Sequence, residues 1–169
     1  MSTKWNLDPT HSEITFKVRH MMISNVKGNF NDFTVTLETE DDTFKNAQVK
    51  ATIQTGSVNT NNTDRDTHLK SAEFFNAETN PEIIFESDSL NNDITGNLTI
   101  NGVTKPVKLE VDFGGINVDP WGNTKAGFSF EGKIKRSDFG LNWNAALETG
   151  GVMVSDDVKI AGELQFVKA

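Results

Sequence analysis

Cysteine and tyrosine are both absent from this 169-residue chain. Without cysteine there can be no disulfides, thiolate metal sites or cysteine nucleophiles. Basic residues are the minority, 16 against 24 acids, for a formal charge of −8. That balance argues against nucleic acid as a partner, because phosphate neutralisation needs a basic stripe. It also disfavours docking on anionic lipid, which uses lysine and arginine clusters. No apolar run reaches the ~18 residues of a membrane-spanning helix, so no stable membrane insertion is expected. The opening residues, Met1 to Pro9, carry no apolar signal core, which predicts a cytoplasmic protein. The length suits one domain spanning 1–169, and no repeat or linker divides it.

What is abundant points to β structure. Asn and Thr each occur 18 times and Phe 12 times. Thr and Phe favour strands, and Asn favours tight turns. Apolar residues alternate at period two in most segments: Ile14, Phe16 and Val18; Val49, Ala51 and Ile53; Ile94, Leu98 and Ile100. The pattern continues in Val107, Leu109, Val111 and Phe113, then in Ala126, Phe128, Phe130 and Ile134. It ends in Val158, Ile160, Leu164 and Phe166. Each run predicts a strand with one apolar and one wet face. Between Val26 and Leu37 the parity switches, which predicts a β-bulge near Asn31-Asp32. Asn101-Gly102 predicts a two-residue hairpin turn, and Asn91-Asn92 and Asp119-Pro120 predict further turns.

One stretch departs from this period. Thr63 to Phe75 predicts a two-turn helix, with Asn62 or Thr63 as its cap and Asp64 and Asp66 in its first turn. Leu69 and Ala72 would share one face of it. About eight strands of six to eleven residues, joined mostly by hairpins, predict an all-β antiparallel barrel or sandwich. A barrel of about eight strands either fills its interior with side chains or holds one small ligand. Both need an apolar inner face, so periodicity leaves the two open.

The catalytic inventory is thin. A metal site would need His11, His20 and His68 to converge, and His11 and His20 lie a turn and most of a strand apart at opposite parity, which disfavours one. His11 and Ser12 are neighbours on an extended chain and face opposite ways, so His11 is poorly placed to activate Ser12. No Gly-x-Ser-x-Gly elbow, dinucleotide fingerprint or P-loop occurs. Asp41-Asp42 and Asp156-Asp157 read as solvated turn acids, without the spacing of a calcium loop. Arg65, Asp66 and His68 form a denser polar group on the predicted helix. They could hold an anionic or carbonyl head group, or an Arg–Asp pair could fix the helix to the barrel. Arg136-Ser137-Asp138-Phe139-Gly140 reads as a turn with Arg136 and Asp138 paired across it and Gly140 supplying a positive φ. The alternative puts Arg136 at a cavity mouth. Phe16, Phe30, Phe85, Phe128, Phe130 and Phe166 share the inferred inner face, which suits either a packed core or a long apolar pocket.

A series of short motifs resembles the YceI-like, polyisoprenoid-binding family. They are Trp5-x-Leu7-Asp8-x-x-His11-Ser12, Phe16-x-Val18-x-His20, Val26-x-Gly28-x-Phe30 and Ser57-Val58-x-Thr60. Arg65-Asp66-x-His68-Leu69, Phe74-Phe75 and Pro81-x-x-x-Phe85-x-Ser87 follow. Leu98-Thr99-Ile100-x-Gly102-Val103-Thr104-Lys105, Arg136 to Gly140 and Val154-Ser155-Asp156-x-Val158 complete the order. The resemblance implies a lipocalin-like antiparallel barrel with one short helix and a long apolar pore. It implies a polyisoprenoid, quinone or related long-chain lipid as ligand, a carrier or stress-related role without catalysis, no cofactor, and dimers in some members. Many members carry a cleaved signal, which the opening residues here are not expected to supply, and this puts periplasmic roles in doubt.

On this reading the expected ligand-binding residues on the first strands are Phe16, Val18, His20, Phe30 and Ile53. Leu69, Phe74, Phe85, Leu98, Leu109 and Val111 are expected to continue the lining. Phe128, Phe130, Trp143, Ile160 and Leu164 are expected to complete it. Arg65, His68 and Arg136 are candidates for a head-group contact or a bracing network. Two alternatives stay open: a lipid- or ester-modifying enzyme using His20, His68 and Arg65, and a structural stress protein with a filled core.

Overall fold

The alternating runs become eleven antiparallel strands in one sheet. The computed structural model describes residues 3–21, 23–40, 44, 47–88, 90, 93–141 and 154–169. In chain order the strands are β1 (Thr3–Leu7), β2 (Glu13–His20), β3 (Ser24–Phe30), β4 (Phe33–Thr39), β5 (Gln48–Gln54) and β6 (Val58–Asn59). After the helix α1 (Thr63–Lys70) come β7 (Glu82–Ser87), β8 (Asp93–Ile100), β9 (Val103–Val118), β10 (Thr124–Lys135) and β11 (Val154–Lys168). Eight strands close a ring in the order β1-β4-β5-β7-β8-β9-β10-β11, because β11 pairs back onto β1. The other three, β2, β3 and β6, continue from the upper half of β11.

The extra strands arise because a single crease crosses three neighbouring strands. β1 and β2 are one strand position interrupted at Pro9–His11, where Pro9 begins a 3-10 turn and Asp8 caps it by accepting from the Thr10 N–H at 3.1 Å. β3 and β4 break at Asn31-Asp32, and β5 and β6 at Thr55–Ser57. The last two breaks are stitched together: the Asn31 N–H donates to the Ser57 carbonyl at 3.1 Å and the Gln54 N–H to the Asp32 carbonyl at 2.9 Å. The parity switch at Asn31-Asp32 therefore marks this crease and not a bulge. β4 pairs β5 with Phe33 opposite Ile53, whereas β3 pairs β6 with Phe30 opposite Val58, so the register changes by two and both neighbouring strands break together.

A register shift does occur between β9 and β10, at Gly114-Gly115. Gly115 takes φ of 108°, which glycine adopts without strain. Asn101 and Gly102 form the two-residue hairpin turn with φ of 54° and 74°. Asp119 turns the β9–β10 hairpin by accepting from the N–H groups of Trp121 and Asn123. Asn91-Asn92 lies outside the described residues. Asn62 caps α1 by accepting from the Arg65 N–H at 3.0 Å. The helix ends at Lys70, so Ala72 sits in the following turn, exposed, and not on a helix face with Leu69.

Asp8 holds the crease in a pH-dependent way. Its carboxylate accepts from the Thr10 hydroxyl at 2.7 Å and lies 2.9 Å from His11 Nδ1. These hydrogen bonds lower its pKa from 3.8 to about 2. A depressed carboxylate pKa adds stability above the unfolded value and loses it as pH falls through the folded one. Asp8→Asn should therefore cost about 1–2 kcal/mol at neutral pH, after discounting for a partly solvated site. The deficit should close between pH 3.8 and about 2, as urea unfolding of both proteins across that window would show.

Candidate functional site

The inner face encloses a cavity of about 610 Å³. The interior is therefore open, and the filled-core alternative does not describe this barrel. The wall is built from period-two rows that cross neighbouring strands in register. One row is Ile134, Val158, Val18 and Val26, from β10, β11, β2 and β3. Two residues further into the barrel lies Gly132, Ile160, Phe16 and Gly28.

Phenylalanines in the wall lie over glycines on the next strand. Phe16 covers Gly28, and Phe130 covers Gly162. A Cβ on Gly162 would come 2.4 Å from the Phe130 ring and 2.6 Å from the Glu13 carbonyl, so only glycine lets both ring and backbone approach. Phe16, Phe30, Phe85, Phe128, Phe130 and Phe166 all line the cavity.

The two ends differ. At one end a set of rings forms a floor. Trp5 is 2% exposed and lies 5.1 Å from Phe44, which lies 5.2 Å from Phe128. Phe113 and Phe166 extend the set from Phe128. Phe44 takes a φ of 62° in the β4–β5 connection, among polar residues, where no periodicity marks it.

At the other end the lining turns polar. Apart from Thr15, every polar lining residue lies there: His20, Asn62, Asp64, Arg65, His68 and Arg136. This is the mouth, framed by α1, the β2–β3 turn and the end of β10.

The expected residues fall along this cavity. Phe16, Val18, His20, Phe30, Ile53 and Leu69 line it. So do Phe74, Phe85, Leu98, Leu109 and Val111, and Phe128, Phe130, Ile160 and Leu164. Trp143 lies outside the described residues. The reading from sequence passed over Val26, Ile134 and Val158 as site residues, although each sits on the correct parity of its strand and lines the mouth. Of the floor residues, Trp5 enters only through the family motif and Phe44 not at all.

Asn62, Arg65, His68 and Arg136 at the mouth have partners within the fold. Arg65 and Asp66 do not serve each other; both reach Thr60, which is buried. Arg65 Nε donates to the Thr60 hydroxyl and a terminal nitrogen to its carbonyl, each at 2.8 Å. Asp66 accepts from the Thr60 N–H at 2.8 Å and hydroxyl at 2.6 Å. These four bonds clamp the helix to β6. The His68 ring contacts Glu73 by hydrogen bond and the edge of Phe74 at 5.0 Å.

Arg136 turns to backbone carbonyls instead of Asp138. It donates to Leu141 at 2.8 Å, Ser155 at 2.9 Å and Val154 at 3.2 Å. Burial pulls its pKa down, against the attraction of Asp156. Asp156 accepts from the Ser137 hydroxyl and N–H, which holds its own pKa below the usual carboxylate range. Gly140 takes the positive φ of 73°. Away from the mouth, the Ser12 hydroxyl donates to the Asp8 carbonyl at 2.7 Å, so it is not engaged by His11. Among the described residues no three His, Asp or Glu side chains gather as a metal site, and no helix is long and apolar enough to cross a membrane.

Residues 5–166 match the model of the YceI-like domain. A UPF0312 protein of Staphylococcus epidermidis is 41% identical over 166 residues, 97% of each chain. The crystal structure of the Campylobacter jejuni YCEI protein is 35% identical, with a TM-score of 0.75 over 88% of both chains. A polyisoprenoid-binding domain from Saccharophagus degradans, implicated in plant cell wall breakdown, shares the fold at 16% identity, with a TM-score of 0.73 over 98% of both chains.

Proposed function

This chain belongs to the YceI-like domain family, and on that premise we propose that it is a non-catalytic carrier holding a polyisoprenoid or similar long-chain lipid inside its barrel. The observation that carries this reading is the distribution of polarity along the cavity. A deep apolar channel of about 610 Å³ ends on an aromatic floor and meets charged and histidine side chains only near its mouth. That volume is within the ~300–1,000 Å³ of small-molecule sites. A chain-like hydrocarbon with one polar end matches this profile, and the fold is shared with a polyisoprenoid-binding domain.

The driving force is desolvation, about 25 cal/mol for each Å² of apolar surface removed from water. Phe16, Phe30, Phe85, Phe128 and Phe130 supply the lining, and the polar groups at the mouth orient the head. A hydrolytic role built on His20, His68 and Arg65 draws no support from the contacts of the last two, since Arg65 is spent on Thr60 and His68 faces Glu73.

Adding a polyprenyl alcohol or an isoprenoid quinone to delipidated protein should raise its Tm. At a ligand concentration about 100 times Kd the gain is about 2.7 kcal/mol, or about 5–10 °C for a domain of this size. No rise with either compound would contradict the carrier reading.

A further inference from the structure

The outer wall beside the mouth carries a pattern that the net charge of −8 conceals. Lys133 on β10 is directly opposite Lys159 on β11, Lys159 is opposite Lys17 on β2, and Lys17 is opposite Lys27 on β3. Four lysines thus form one row across four adjacent strands. Period two fixes its direction. The rows on either side, Ile134-Val158-Val18-Val26 and Gly132-Ile160-Phe16-Gly28, turn into the barrel, so the lysine row faces out.

Like charges directly opposite on neighbouring strands destabilise a sheet. Asp157 relieves Lys133 at 3.7 Å. Among the described residues Lys17, Lys27 and Lys159 form no ion pair. Lys108 from β9, itself paired with Asp93 at 3.1 Å, flanks the row across an open groove whose acids, Glu13, Glu110 and Glu131, lie on the side away from the mouth. At the mouthward edge the β2–β3 turn exposes Met21 (40%) and Ile23 (77%).

We propose that this lysine row, with Met21 and Ile23 at its edge, docks the barrel mouth-first on the surface of an anionic lipid bilayer. Charge complementarity chooses the occupant: a row of cations beside an exposed apolar tip matches an anionic headgroup layer over hydrocarbon. Opposed like charges cost the sheet stability, so the fold does not account for the row. Contact is peripheral and nothing spans the membrane. Docking itself is independent of what the cavity contains. Its use, passing a lipid between bilayer and channel without exposing it to water, rests on the carrier reading above.

The test is co-flotation of the full chain with vesicles of phosphatidylcholine alone or of phosphatidylcholine mixed with phosphatidylglycerol. Binding is expected only to the mixed vesicles at low salt, and should be lost near ~1 M salt, where the Debye length falls to about 3 Å. Each lysine near such a surface is worth about fivefold in partitioning, so the triple variant Lys27→Gln, Lys133→Gln and Lys159→Gln should bind about 100-fold more weakly. Its Tm should equal or exceed that of the parent, because repulsion is removed. Lys50→Gln, remote from the row and paired with Glu86 at 3.7 Å, should leave flotation unchanged.

Failure to float with the mixed vesicles at low salt would overturn the proposal and assign the row to an acidic protein surface. Equal flotation of the parent and the triple variant would also overturn it. A protein that floats yet carries no lipid contradicts the carrier reading alone. One that carries lipid but ignores vesicles contradicts this proposal alone.

Discussion

Replacing Arg136 with leucine is expected to lower stability by about 3 kcal/mol, a fall in Tm of about 6–12 °C for a domain of this size. Arg136 is 6% exposed, and its guanidinium donates to three backbone carbonyls, those of Leu141, Val154 and Ser155. Leu141 and Val154 are the described residues on either side of residues 142–153, so one side chain ties the end of β10 to the start of β11. Leucine fills much of the volume but leaves these carbonyls without their charged donor, and hydrogen bonds to charged groups are worth about 1.5–3 kcal/mol each. Lysine keeps the charge as a compact point and lacks the planar fork that spans three acceptors. Arg136→Lys should therefore recover only a minor part of the loss. Thermal unfolding of delipidated protein is the measurement. If Arg136 acted only on a ligand head group, delipidated Arg136→Leu protein would melt with the parent.

The second large effect is on ligand occupancy. Val158→Asp puts a carboxylate into the inward row Ile134-Val158-Val18-Val26, at the neck through which a lipid chain must pass. In the empty protein the charge is reached by water from the mouth, because Val158 is only half-buried, so the barrel should still fold. A bound hydrocarbon chain would strip that water, and an ion desolvated without a partner costs several kcal/mol. Affinity should fall by about 100-fold or more. Val158→Leu, apolar and slightly larger, should retain binding to within about tenfold. Lipid content per protein, measured on both variants and the parent, separates these outcomes. Equal content in parent and Val158→Asp would place the ligand elsewhere.

How much of this was legible in the sequence follows from which interactions are local. Alternation places Phe16, Phe30, Phe85, Phe128, Phe130 and Phe166 on the inner face, because side-chain direction on a strand depends only on parity. Asn101-Gly102 and the Asn62 cap are equally local and stand where the residues predict. The crease was visible as a parity switch but misread as a bulge. A lone strand cannot reveal that Asn31 and Gln54 exchange hydrogen bonds with Ser57 and Asp32. The β9–β10 register shift hides in Gly114-Gly115, two residues with no side chain to carry periodicity, and a second lies between Val154 and Val158 on β11.

The site was harder to read than the fold. Whether an apolar inner face is filled or open depends on barrel radius, set by strand number and stagger, which alternation does not encode. Phe44 closes the floor from a connection with no pattern. The partner of Arg65 and Asp66 is Thr60, a residue whose sequence context shows nothing of its burial. The lysine row was invisible for a similar reason. Lys17, Lys27, Lys133 and Lys159 are far apart in sequence, and only the strand register brings them into line.

The central claim is that the cavity is occupied by a long-chain lipid, and organic extraction of protein purified from its own host, followed by mass spectrometry, tests it most directly. The account predicts an isoprenoid or similar single-chain lipid in near-stoichiometric amount, strongly reduced in extracts of Val158→Asp. Extracts from the parent with no lipid above the background of a control protein would contradict it.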